Sequence, residues 1–122
     1  MHPDYPRFYE KLQKLSAKLA REVRGPMSGF TQLRVAATAE GALNQKVKQL
    51  IALAIGVTVR CDGCIAYHVH DAIRAGASRE EIMETVGIAI LMGGGPAMVY
   101  GCEALEALDQ FEASGLTPAG AD

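Results

Sequence analysis

No stretch of this chain alternates cleanly between apolar and polar residues, and β-branched residues do not cluster between turn signals. Apolar side chains recur every three or four positions instead, which is the rhythm of helices. Residues 5–24 place Phe8, Leu12, Leu15, Leu19 and Val23 at that spacing, with Lys, Arg and Glu between them. Gly25-Pro26 is expected to end this first helix, because Gly tolerates a left-handed cap and Pro cannot continue the turn. A second helix is predicted from about Ser28 to Glu40, closed by Gly41. Asn44 is the expected N-cap of a third, which carries Val47, Leu50, Ile51, Leu53, Ala54 and Ile55. A fourth runs from near Cys61 to Gly76. Ser78-Arg79-Glu80-Glu81 is a capping box and opens a fifth through about Met92. The glycine triplet 93–95 breaks the chain, and Pro96 suits the first turn of a sixth helix ending near Ala113. Residues 114–122 are expected to fray. The fold class is therefore all-α, with about six helices in a single domain over 1–122.

Two segments, 50–59 and 86–92, are apolar on most faces. A helix apolar all round is usually buried, and a small domain has limited interior for two of them. Subunit contacts are predicted to cover the remainder, making a homo-oligomer. At 122 residues and 49% apolar content, the chain can build a real core. Its net charge of −2, without a basic block or any Trp, gives no sign of nucleic acid as a partner. The polar start Met1-His2-Pro3-Asp4-Tyr5 predicts no secretory leader. The stretch from Val86 to Tyr100 is interrupted by Gly93-Gly94-Gly95-Pro96 and is too short for a bilayer, so no membrane is expected. These readings predict a cytoplasmic protein.

In that reducing compartment a structural disulfide framework is not expected, and a Cys-x-x-Cys pair points to redox chemistry or metal. Residues 61–70 read Cys-Asp-Gly-Cys-Ile-Ala-Tyr-His-Val-His. On a helix, Cys61, Cys64 and His68 form one stripe. A helix start favours a thiolate through its unpaired N–H groups and dipole. His68, one turn past Cys64, can hold the displaced proton. Metal is the competing reading, since Cys61, Cys64, His68 and His70 are the donors of a Cys2His2 site. His70, however, lies roughly 240° around the helix from Cys64 and points off the stripe. The remaining reading is two buried cysteines and a surface histidine. Elsewhere, Cys102 is expected to be a small buried hydrophobe, Met83, Met92 and Met98 core filler, and His2 disordered. Asp71 could orient His68, although a solvated surface acid is the commoner case.

Cys61-x-x-Cys64-x-x-x-His68, then Ala75-Gly76-Ala77-Ser78-Arg79-Glu80-Glu81, then Gly93-Gly94-Gly95-Pro96, resembles the carboxymuconolactone decarboxylase family, and within it the alkylhydroperoxidase D-like branch. The likeness covers roughly residues 28–112. It implies an all-helical fold assembled as trimers or hexamers, and a thiol-dependent antioxidant enzyme that reduces hydroperoxides. By that resemblance Cys64 is the peroxidatic cysteine, Cys61 the resolving one and His68 the proton relay. The implied reductant is a lipoyl or thioredoxin-like dithiol carrier, with neither cofactor nor metal. Two positions depart from the branch. It usually has a glutamate twelve residues before the first cysteine, a position the resemblance puts next to the dithiol; there this chain has Gln49, the possible relay, in Gln49-Leu50-Ile51-Ala52-Leu53-Ala54. Some members also have a histidine between the cysteines, where this chain has Gly63. An amide cannot exchange a proton as a carboxylate does. Either Glu40, Glu103 or another acid substitutes in space, or dithiol exchange outweighs peroxide turnover. The alternatives are lactone decarboxylation using His68 without thiols, and a non-catalytic oligomeric binding or metal-holding protein.

Overall fold

The structure, a computed structural model, describes residues 2–120. It has five helical runs and, among the described residues, no strand: α1 Tyr5–Glu22, α2 Arg24–Thr38, α3 Gln45–Thr58, α4 Asp62–Arg74 and α5 Arg79–Ala113. Asp4 caps α1 by accepting the Arg7 N–H at 3.0 Å. The first boundary differs from the sequence expectation. The break comes at Val23 (φ −128°, ψ 67°), and Gly25-Pro26 falls inside the first turn of α2. Proline is unpenalised there, because the first-turn N–H groups have no helical partner anyway. Asn44 caps α3 through the Val47 N–H, as its position predicts.

The expected fifth and sixth helices form one run, α5, interrupted at Gly94 (φ 68°, ψ −148°). On a straight helix Val86 and Gly101 would stand about 22 Å apart. Here a Cβ added to Gly101 would meet Val86 Cγ1 at 2.9 Å, so the chain doubles back at Gly94 and its two arms lie together. By length and composition α5 could cross a bilayer. The break at Gly94 divides it into arms 79–93 and 95–113; the first is too short to span, and the second carries Glu103, Glu106, Asp109 and Glu112, which a bilayer core disfavours. The capping box at Ser78 is present in both directions, with Glu81 N–H to Ser78 Oγ and Ser78 N–H to Glu81 Oε1.

The core lies where α3, α4 and α5 meet. Leu53 and Val57 pack with Ile65 and Val69, and with Ile82 and Leu108. α1 closes one side through Tyr5, which is fully buried. Its hydroxyl donates to Glu103 Oε1 at 2.6 Å, tying α1 to α5. α2 contributes no buried residue.

Several residues lie elsewhere than expected. His2 stacks on Phe8 at 3.8 Å between ring centroids, rather than being disordered. Residues 114–120 do not fray: the Ala119 N–H bonds the Arg74 carbonyl at 2.9 Å, and Arg74 donates to the Thr117 carbonyl. The rest of the expected frayed tail, 121–122, lies outside the described residues. Cys102 and Met98 are exposed, and Met92 is 75% exposed, on the outer faces of the two arms. Phe30 and Leu33 of α2, Ile55 of α3 and Val59 just after it, and Ile88 and Leu91 of α5 are likewise open on this chain.

Candidate functional site

A three-residue connection, 59–61, turns α3 into α4. Arg60 takes φ 61°, and the Cys61 N–H reaches back to the Gly56 carbonyl at 3.0 Å. A left-handed residue is what reverses the chain so sharply, and a non-glycine residue adopts it at some cost. Gly56 lets α4 approach: a Cβ there would sit 3.0 Å from the Cys64 Cβ.

Cys61 is the N-cap of α4, with its sulfur accepting the Cys64 N–H at 3.1 Å. Sulfur here does what an N-cap oxygen normally does, and the same N–H and helix dipole favour a thiolate at Cys61. Cys61 and Cys64 are paired as a disulfide, with Cα atoms 5.2 Å apart. Both are partly exposed. His68 follows Cys64 by one turn of α4.

From α3, Gln49 reaches His68, with Oε1 2.8 Å from Nδ1. With the ring proton on Nδ1 donated to that carbonyl, Nε2 keeps its lone pair. Burial pushes the imidazole below its ordinary pKa; Asp71 opposes this and Arg34 adds to it. A neutral ring with one free nitrogen is ready to accept a proton.

The structure brings Cys61, Cys64, His68 and Gln49 to one junction between α3 and α4. The acids suggested as substitutes are engaged elsewhere. Glu40 accepts the Gln45 N–H at the start of α3, and Glu103 accepts from Tyr5. Asp71, one turn past His68, is a carboxylate on the same helix. Together with Gln49, Arg74 and Thr38 it lines a cleft of about 230 Å³. It also accepts from His70 Nδ1 at 2.9 Å, if the ring proton is there. His70 stacks on Tyr9 at 4.0 Å, in keeping with its position off the cysteine stripe. Among the described residues no three His, Cys, Asp or Glu side chains are grouped to hold a metal.

Sequence reasoning missed the partners of Asp62. This residue lies between the cysteines in sequence, and its Oδ2 stands 2.9 Å from His2 Nε2. No local pattern joins positions 60 residues apart. The Asp71 position was visible as a carboxylate three residues past His68, but its cleft is made by α2, α3 and the tail.

The family model described as the carboxymuconolactone decarboxylase family matches residues 26–107. The chain belongs to this family. A family member from Legionella pneumophila, solved in its apo form, superposes with a TM-score of 0.84 at 42% identity, covering 88% of this chain and 96% of its own. Another family member, from Thermotoga maritima and described as a candidate in the antioxidative response, has a TM-score of 0.77 at 33% identity, covering 91% and 97%. An uncharacterized protein of Cupriavidus necator is 42% identical over 87 residues, 71% of this chain and 77% of that protein. A Paracoccus denitrificans protein named for its place in a cox locus is 38% identical over 104 residues, 83% and 94%. The all-helical arrangement is thus the fold of the family.

Proposed function

We propose that this family member is a thiol-dependent antioxidant enzyme of the alkylhydroperoxidase D-like kind, which reduces hydroperoxides through Cys61 and Cys64. The observation that carries this reading is the cysteine pair at disulfide distance on the first turn of α4, followed by a neutral His68 held by Gln49. His68 takes the Cys64 proton, and the thiolate attacks the peroxide oxygen. The O–O bond breaks, the alcohol leaves with a proton, and Cys64 becomes a sulfenic acid. The Cys61 thiolate attacks that sulfur, water leaves and the disulfide forms. A dithiol carrier of the lipoyl or thioredoxin-like class then reduces the pair by exchange. The open apolar faces of α2, α3 and α5 support a homo-oligomer, a trimer or hexamer, working in the cytoplasm without cofactor or metal.

Thiol alkylation and mass spectrometry before and after a stoichiometric alkyl hydroperoxide test this. Both thiols are expected to disappear together and return with dithiol. Cys64→Ser should abolish peroxide consumption. Cys61→Ser should permit one sulfenic acid event and stop. Thiols that stay fully alkylatable after excess peroxide would end the redox reading. A lactone-cleaving activity that survives loss of both cysteines but not of His68 would replace it.

A further inference from the structure

Arg7, Lys11, Lys14, Lys18 and Arg21 are all exposed and recur at steps of four and three, so they form one stripe along α1. Against them α1 has only Glu10 and Glu22, a net charge of +3 on a chain whose total is −2. Beside the stripe runs an apolar edge, of which Leu15 is 49% and Leu19 51% exposed. At the other end of that edge, Leu12 lies against Gly63, which stands between the two cysteines in the chain: a Cβ there would be 3.3 Å from Leu12 Cδ1. Arg7, Lys11, Phe8, Leu12 and Leu15, with the 2–4 segment, line a cleft of about 510 Å³.

We propose that the basic stripe and apolar edge of α1 are the docking surface for an acidic protein domain that delivers the reducing dithiol to the Cys61–Cys64 disulfide. This rests on the dithiol-reductant reading above. The stripe from Arg7 to Arg21 is about 21 Å long, which suits a domain surface rather than a small thiol. Opposite charge would guide the carrier to this face and fix its orientation. A second copy docked face to face by two-fold symmetry would set like charges together, which disfavours this face as such a contact.

One carrier thiolate attacks the Cys64 sulfur; the S–S bond breaks and its electron pair leaves on Cys61. That leaving thiolate is the sulfur positioned to accept the Cys64 N–H. The second carrier thiolate then attacks the carrier's own sulfur in the mixed disulfide and releases Cys64. The carrier ends as a disulfide, and Cys61 and Cys64 take up the two electrons and two protons.

The test compares wild type with the Lys11→Glu/Lys14→Glu/Lys18→Glu variant on two donors. One is an acidic lipoyl domain in its dihydrolipoyl form, and the other is free dihydrolipoamide, which is uncharged. With the domain at low salt, disulfide reduction in the variant should slow by about tenfold or more. With free dihydrolipoamide the two proteins should match. The wild-type rate with the domain should fall as salt rises. A milder Lys→Gln version of the variant should give an intermediate loss. An equal loss on both donors, no loss with the domain, or a change of oligomeric state on sedimentation would overturn the docking surface. Failure of wild type to be reduced by either donor would instead overturn the dithiol-reductant reading beneath it, and the docking proposal with it.

Discussion

Gln49→Glu puts a carboxylate where an amide now accepts from His68. The contact is 2.8 Å long, so the new charge would sit directly on the ring nitrogen. Two unit charges about 4 Å apart interact by about 4 kcal/mol near a protein surface. Gln49 borders an open cleft, and water there should screen the pair to about 1–2 kcal/mol. That is roughly a tenfold shift toward the imidazolium, since about 1.4 kcal/mol is a factor of ten. The sign opposes the wild-type effect, in which burial holds His68 below its ordinary value. An imidazolium beside Cys64 lowers the cost of its thiolate, and the carboxylate can itself pass a proton to water. Peroxide consumption should therefore rise about tenfold, with the roughly 10²-fold lower end of acid–base contributions as a ceiling. The assay pairs an NMR titration of the His68 ring with steady-state peroxide kinetics on a small dithiol donor. A titration midpoint no higher than wild type, with the fold intact by circular dichroism, would refute the contact. A raised midpoint without a faster rate would refute His68 as the limiting proton acceptor.

Three further outcomes are expected. Because burial lowers the folded His68 pKa below the ordinary 6.5, the unfolded chain binds more protons just below that pH. Wild-type stability should accordingly fall as pH drops through 6.5, and urea midpoints measured against pH should show a smaller fall in His68→Gln. Tyr5→Phe removes the buried hydroxyl donated to Glu103 and should cost about 1.5–3 kcal/mol in chemical denaturation. A loss under about 0.5 kcal/mol would mean that Glu103 repairs the gap with other partners. Gly94→Ala forces a side chain onto φ 68°, ψ −148°, and should lower stability by about 1–3 kcal/mol in thermal unfolding, because that backbone region is almost confined to glycine.

The sequence revealed helices wherever a cap and a periodic face agreed. Asn44 and Ser78 both start helices where their side chains said they would. Gly25-Pro26 misled because the same dipeptide can stop one helix or occupy the first turn of the next. The break depends on the Val23 dihedrals, which no local rule fixes. The cysteine stripe needed only the spacing within one helix, so it was readable. The His68–Gln49 contact needed α3 and α4 to be set side by side; only the family resemblance placed Gln49 near the pair. The tail's attachment to Arg74 and the His2–Asp62 contact join distant positions through polar side chains and backbone, which carry no periodic signal. Met92 and Cys102 looked like interior residues by type, but residue type does not say whether an apolar face meets its own core or another surface.

The cysteines of the pair are only three residues apart in the chain. A crosslink limits an unfolded chain in proportion to the logarithm of the loop it closes, and this loop is about as short as a loop can be. On that entropy scale it contributes about 2 kcal/mol, compared with nearly 5 for a loop of about 100 residues. It also sits within a single helical turn, so opening it frees no distant segment. The bond is therefore a poor staple. Helix packing must hold the protein together whether the sulfurs are joined or parted, so opening or closing this bond leaves the rest of the molecule in place.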